Sequence, residues 1–230
     1  MSIADNLELV RSKIAAAATK AGRDPLSIRL VAVSKTKPAA AVNAAAMAGQ
    51  RLFGENYAQE LIDKSAHVTE NIEWHYIGGL QGNKVRQIAG IVALIHSVDR
   101  LSLASEIDRQ WGRLGRVCDV LIQVNIACES TKRGATNAEL FDLVRKTAQL
   151  PHLRVRGLMT MPPFFKDPER ARPYFRELKR LAGEIAAEGI PNVAMDELSM
   201  GMSGDFEIAV EEGATLVRVG SLIFGERVYV

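Results

Sequence analysis

Eight short apolar runs recur along the chain, near residues 30, 52, 75, 94, 121, 156, 196 and 217, and each but the last is followed by a clear helical stretch. That alternation calls for strands joined by crossover helices, hence a parallel sheet. The first run, Leu30-Val31-Ala32-Val33, is continuously apolar, as suits a strand buried on both faces. Eight such units in 230 residues predict an α/β fold, a single (β/α)8 TIM barrel in one domain spanning 1–230. An open doubly wound sheet is the rival; its GxGxxG fingerprint is missing from the sequence. Ile3, Leu7, Val10 and Ile14 mark an extra N-terminal helix that Gly22 stops, packed on the barrel's outside or base. Val117–Ile126 reads as the longest strand, and Asp167-Pro168-Glu169 as the start of a helix that Pro173 kinks.

Composition narrows the function. Lys and Arg number 29 against 27 Asp and Glu, a net charge of +2 without a basic block, which argues against nucleic acid and anionic membrane as partners. Cys118 and Cys128 form no metal-ligand pattern, the opening MSIADNLELV has no leader character, and no apolar run approaches the roughly 20 residues that span a bilayer. A cytoplasmic protein is expected. The histidines His67, His75, His96 and His152 lack HxxxH or HExxH spacing, so no metal is expected. No large apolar repeat demands an oligomer; a monomer is expected, with a weak dimer next.

In a barrel, binding and catalytic groups belong at the carboxyl ends of the strands. Lys35, Asn56, Ile77 with Gly78, Ser97, Asn125, Met159, Ser199 and Arg218 all fall there. Lys35 leaves a buried strand, partly desolvated and aimed at the ligand region, which suits an amine that attacks a carbonyl. The loops after strands seven and eight, Ser199-Met200-Gly201-Met202-Ser203 and Gly220-Ser221, stand where barrels commonly bind phosphate. A phosphate site beside a strand-end lysine suits pyridoxal 5'-phosphate, whose aldehyde condenses with a lysine. Arg218, between Val217 and Val219, is the natural group to face the pyridine nitrogen, to which a guanidinium can only donate.

Those residues sit in motifs that together are highly specific: AVSK ending at Lys35, FGEN with Gln59, WHYIGGLQGNK from Trp74 to Lys84, HSVD from His96, QVN with ESTKRG, GLMTM from Gly157, LSMGMS with Asp205, and VRVGSLIFG ending at Gly225. In them the chain closely resembles the pyridoxal phosphate homeostasis protein family, single-domain relatives of the alanine racemase N-terminal barrel. The resemblance implies that Lys35 carries the cofactor as a Schiff base, that Ser199, Gly220 and Ser221 bind its phosphate, with Met200 and Ser203 in the same loop, and that Arg218 meets the pyridine nitrogen. It implies a ring pocket of Asn56, Ile77 and Met159. Tyr57-Ala58 departs from the Arg-Val of many relatives, at the pocket rim.

Two functions compete. One is a non-catalytic protein holding pyridoxal phosphate in reserve for vitamin B6 balance, with pyridoxal-phosphate-dependent apoenzymes as candidate recipients. The other is an amino-acid racemase with weak activity, which needs a base on each face of the cofactor. With the sequence closing at Val230, no second domain is expected to bring that base, and only Tyr57 and Tyr76 of the tyrosines lie near the functional rim. A phosphosugar barrel without pyridoxal phosphate is a third reading. His75 is expected as a core histidine, facing either the barrel interior or the helices; Lys132 is an anion contact or a solvated lysine; Glu55 orients Lys35 or Asn56, or is structural.

Overall fold

A computed structural model of the chain describes residues 1–127, 129 and 133–226. The expectations placed on Cys128, Lys132 and Tyr229 lie outside the described residues.

The strands are β1 (Arg29–Val33), β2 (Leu52–Glu55), β3 (Glu73–Tyr76), β4 (Val92–Val98), β5 (Cys118–Gln123), β6 (Leu153–Met159), β7 (Val193–Ser199) and β8 (Leu216–Val219). They pair in sequence order, all parallel, and β8 returns to β1 with Arg29 opposite Leu216 and Ala32 opposite Val219, which closes the barrel. Helices α2 (Ala39–Met47), α3 (Ala58–His67), α4 (Gly82–Ile88), α5 (Leu101–Gly112), α6 (Asn137–Thr147), α7 (Arg172–Ala187) and α8 (Phe206–Glu211) each follow one strand, and α9 (Ser221–Phe224) follows the last. The closed eight-stranded α/β barrel expected from the alternating pattern is what forms.

The opening helix α1 (Ile3–Lys20) starts in a capping box between Ser2 and Asp5 and buries Leu7, Val10 and Ile14. It packs on the outside of the barrel against α2, α8 and α9, with Asn6 Nδ2 donating to the Ile223 carbonyl at 2.9 Å. No helix among the described residues is long and apolar enough to cross a membrane.

Because strand side chains alternate between faces, the strands feed two apolar layers, the inner one from all but β3 and β7. The inner one, in the barrel's hollow, holds Val31, Leu52, Leu94, Leu121, Met159 and Leu216. The outer one packs sheet against helices and includes Ala32, Phe53, Trp74, Ile95, Val120 and Leu158. This parity governs everything at the rim: counting by twos from the inner layer, Val31 leads to Lys35, Leu52 to Asn56 and Leu216 to Gly220 through Arg218.

Two local expectations are corrected. The run from Val117 to Ile126 yields only the six-residue β5, because Val124 instead bridges to Ala135 beyond the loop. Asp167 caps a short 3-10 turn, Pro168–Ala171, its carboxylate accepting from Glu169 N; α7 starts afresh at Arg172 with Pro173 in its first turn. A proline there surrenders only an N–H that has no helical partner, so it begins the helix and does not kink it.

Candidate functional site

At the carboxyl ends of the strands lies a cavity of about 500 Å³, lined among others by Val33, Lys35, Asn56, Ile77, Ser203, Asp205, Arg218, Gly220 and Ser221. Lys35 sits two residues past β1, half-buried. Asn56 and Ile77 are the first residues beyond β2 and β3. The turn after β3 is held close: the Tyr76 hydroxyl donates to the Asn56 carbonyl at 2.9 Å, and a Cβ at Gly78 would stand 2.2 Å from that oxygen. Only glycine fits there. The Asn56 side-chain oxygen Oδ1 is buried and accepts no hydrogen bond from the described residues, an unused acceptor in a residue that lines the cavity.

Arg218 closes the floor. It is 4% exposed, with Nη1 donating to the Ser199 hydroxyl and Nη2 to the Thr160 carbonyl at 3.0 Å. Burial pulls its pKa down to about 10, opposed by the charge of Asp205. The loop after β7 is shaped from within: Met202 N donates to Asp205 Oδ1 at 2.6 Å, and Gly201 turns at φ 87° where a Cβ would lie 2.5 Å from the Ala209 methyl. Desolvation raises the Asp205 pKa. Gly220 N donates to Ser203 Oγ at 3.3 Å, which joins the two expected phosphate loops and leaves the Ser203 proton free to donate elsewhere.

Behind Lys35 and Asn56, facing α3, is a compact buried cluster. Glu55 Oε1 accepts from Ser34 Oγ at 2.6 Å and from Lys64 Nζ at 2.7 Å; Lys64 also reaches the Ser34 carbonyl and Glu60. Glu55 is fully buried and Lys64 is 6% exposed. Desolvation raises the Glu55 pKa, with Lys64 acting against it.

Of the expected site residues, Lys35, Asn56, Ile77, Ser203, Arg218, Gly220 and Ser221 come together around the cavity. Three stand elsewhere. Met159 is in the inner apolar layer, Met200 points outward into the sheet–helix core, and the buried Ser199 hydroxyl lies against Arg218 and His96. They share a loop or strand end with the cavity, but side-chain parity or one layer of depth separates them from it. His75 faces the barrel interior, its Nδ1 2.8 Å from His96 Nε2. Tyr57 is exposed and Tyr76 is turned to the Asn56 carbonyl; neither lines the cavity. The wall of Pro163, Phe164 and Phe165 is new to the site, and Met161 and Asp205, which the sequence offers only as parts of the GLMTM and LSMGMS motifs, join it at the cavity. The signal for it is Pro162-Pro163-Phe164-Phe165, two large apolar residues in a proline-rich loop just past β6, where Phe164 stands 87% exposed.

The alanine racemase N-terminal domain family matches residues 5–228. The chain is 45% identical over 230 residues to the pyridoxal phosphate homeostasis protein of Aquifex aeolicus, covering all of both chains. It is 46% identical over 231 residues to the protein of that name from Escherichia coli K12, covering 99% and 97%. PipY of Synechococcus elongatus, solved with pyridoxal phosphate bound, superposes with a TM-score of 0.85 at 37% identity over 97% of this chain and all of that one. An alanine racemase from Clostridium difficile shares the fold, with a TM-score of 0.72 at 14% identity over 98% of this chain and 58% of that one. The chain belongs to the pyridoxal phosphate homeostasis protein family, built on the alanine racemase N-terminal domain.

Proposed function

We propose that this protein binds pyridoxal 5'-phosphate in the cavity at the carboxyl ends of the strands and holds it in reserve for vitamin B6 homeostasis, without robust turnover. The observation that carries this reading is the convergence, around one cavity, of an amine on Lys35, a donor-only guanidinium on Arg218, an unpartnered acceptor on Asn56, and the Ser203 and Ser221 hydroxyls. Those groups fit the cofactor's chemistry. When bound, pyridoxal phosphate supplies an aldehyde that bonds covalently to a lysine amine. Lys35 is that lysine, Arg218 donates to the ring nitrogen, and Ser203 and Ser221 hold the phosphate through their hydroxyls, with Gly220, its N–H on Ser203 Oγ, fixing the Ser203 hydroxyl and letting the backbone approach. Ile77 and the Met161 to Phe165 wall exclude water from the ring.

A carrier is favoured over a racemase by what lines the cavity. Among the described lining residues the groups able to take a proton at neutral pH are Lys35 and Asp205, and Asp205 is occupied with Met202 N. Stereoinversion needs a base on each side of the reacting carbon. The protein is proposed as a cytoplasmic monomer of a single domain that passes cofactor to pyridoxal-phosphate-dependent apoenzymes.

The test is an absorption spectrum of purified protein before and after borohydride, with Lys35→Ala alongside. A visible band that borohydride traps on Lys35 is the expected result. A colourless protein that takes up no added pyridoxal phosphate overturns the binding reading; steady inversion of alanine or serine, lost in Lys35→Ala, overturns the carrier reading.

A further inference from the structure

Arg218 stands at one end of a line of buried groups that crosses the barrel's hollow. Next to it is the Ser199 hydroxyl; Ser199 Oγ lies 2.8 Å from His96 Nδ1, His96 Nε2 lies 2.8 Å from His75 Nδ1, and His75 Nε2 lies 2.9 Å from Glu73 Oε1. Ser199, His96 and His75 are fully buried, and the line ends at the amino-terminal rim, where the Glu73 side chain is 48% exposed.

The two ends fix its direction. A guanidinium has no acceptor, so Ser199 Oγ must accept from Arg218; an ionised carboxylate has no donor, so His75 Nε2 must donate to Glu73. Glu73 is ionised at neutral pH, and the hydrogen bond from His75 is the largest of the effects that hold its pKa below the usual carboxylate value. The Ser199 proton then goes to His96 Nδ1, which leaves His96 protonated on Nε2 and donating to His75 Nδ1. The opposite sense, with a doubly protonated His75 donating towards His96, leaves the Ser199 proton without an acceptor among the described residues. It also puts a cation on a fully buried ring, where desolvation outweighs the pull of Glu73 and Glu197 and lowers the His75 pKa.

We propose that Ser199, His96 and His75 are positioning residues for Arg218: a one-way line of donors, Arg218 to Ser199 to His96 to His75 to Glu73, holds the guanidinium in one orientation against the cavity and keeps both rings neutral and protonated on Nε2 alone. In its optical readout the inference rests on the cofactor reading of the cavity; in its tautomers it does not.

Nitrogen-15 NMR of the histidine rings in cofactor-free protein tests the line directly. Protonated Nε2 and bare Nδ1 in both His75 and His96 are expected; a charged ring, or a proton on Nδ1 of either, overturns it. His96→Phe, loaded with pyridoxal phosphate, should bind roughly tenfold more weakly, about what one net hydrogen bond is worth, and with a displaced visible band. His96→Gln, which again offers an acceptor and a donor, should recover most of both. Ser199→Ala, the gentler change should His96→Phe not fold, should move the band in the same direction. A wild-type spectrum and affinity in a folded His96→Phe or in Ser199→Ala overturns the positioning role. Failure of the wild-type protein to take up cofactor would sink the cavity reading alone, and the ring tautomers would then decide this one.

Discussion

Two buried polar assemblies flank the cavity, and they handle charge in opposite ways. Outside the barrel wall, Lys64 and Glu55 meet at 2.7 Å, one cation directly on one carboxylate, with Ser34 and Glu60 completing the set. Inside, Arg218 and Glu73 are kept apart by three neutral groups in series. Strand alternation explains the pairing of the two. Ser34 and Glu55 point outward, their neighbours Lys35 and Asn56 point inward, and each cavity residue is thus backed by a charged cluster it does not share. A contact pair depends on both members, because removing one strands the other in a dry site. A line with its charges at the ends spreads the same task over several weaker bonds, and one end is solvated. The outer cluster should therefore be brittle and the inner line graded.

The largest expected effect lies in the outer cluster. Lys64→Met should lower stability by about 3–5 kcal/mol, the usual cost of leaving a buried charge unpaired. Lys64→Met with Glu55→Leu should recover most of the loss, since neither charge then remains. Denaturant unfolding of the three proteins decides this: a single variant within about 1 kcal/mol of wild type would mean that the pair is not a unit.

Acid should act next, and mainly on the inner line. Burial lowers the pKa of both His75 and His96 from 6.5, the more so for His96; facing His75 are Glu73, Glu197 and Arg29, and facing His96 are His75, Arg218 and Arg29. The unfolded chain then takes up protons before the folded one, so these groups give their full stability above the unfolded value and lose it as pH falls. Each should cost on the order of 1 kcal/mol per pH unit below that value. Glu55 has the reverse sign: its raised pKa favours the fold when protonated and loses that advantage as pH rises through the window above 4.5. Unfolding measured at neutral pH and about one unit below 6.5 should show the acid loss roughly halved in His96→Phe and no smaller in Glu55→Gln, which removes a group of opposite sign; equal slopes in all three proteins would place the titration elsewhere.

Gly78→Ala should come third. Its Cβ would lie 2.2 Å from the Asn56 carbonyl, a collision with backbone that has to move, at about 1–3 kcal/mol. The change touches neither charged assembly. It should displace Asn56 and weaken cofactor uptake while leaving the acid slope as in wild type, which separates cavity geometry from charge.

Much of this was legible in the sequence, and the limits have physical causes. Eight apolar runs with helical stretches between them are enough for the barrel, and strand-end positions were enough to find Lys35, Asn56, Ile77, Arg218, Gly220 and Ser221 at the cavity. Met200 lies close in sequence to the same rim yet faces the other way, because a strand's end is known only to within a residue or so and one residue reverses the face, whereas Met159 and Ser199 face inward one layer below the cavity. Lys64 was findable: it follows Ala58 and Leu61 at three-residue steps on the buried side of α3, where a lysine has to have a partner. The line from Arg218 to Glu73 was not. It joins β8, β7, β4 and β3 across the hollow, and no local pattern says which side chains from four separate strands share one level.

The smallest effect is expected at the exposed end of that line. In Glu73→Gln the amide oxygen can still accept from His75 Nε2, so every bond in the series survives and only the terminal charge is lost. With the Glu73 side chain 48% exposed, water already screens that charge. Stability should change by no more than about 0.5 kcal/mol, and the His75 ring should keep its proton on Nε2. Glu73→Leu is the necessary partner experiment, since it removes the acceptor as well and leaves the buried His75 N–H unsatisfied, at about 1–3 kcal/mol. If Gln proves as damaging as Leu, the carboxylate's charge is felt through the whole hollow by Arg218. The inner line would then be a long ion pair, no less brittle than the outer one.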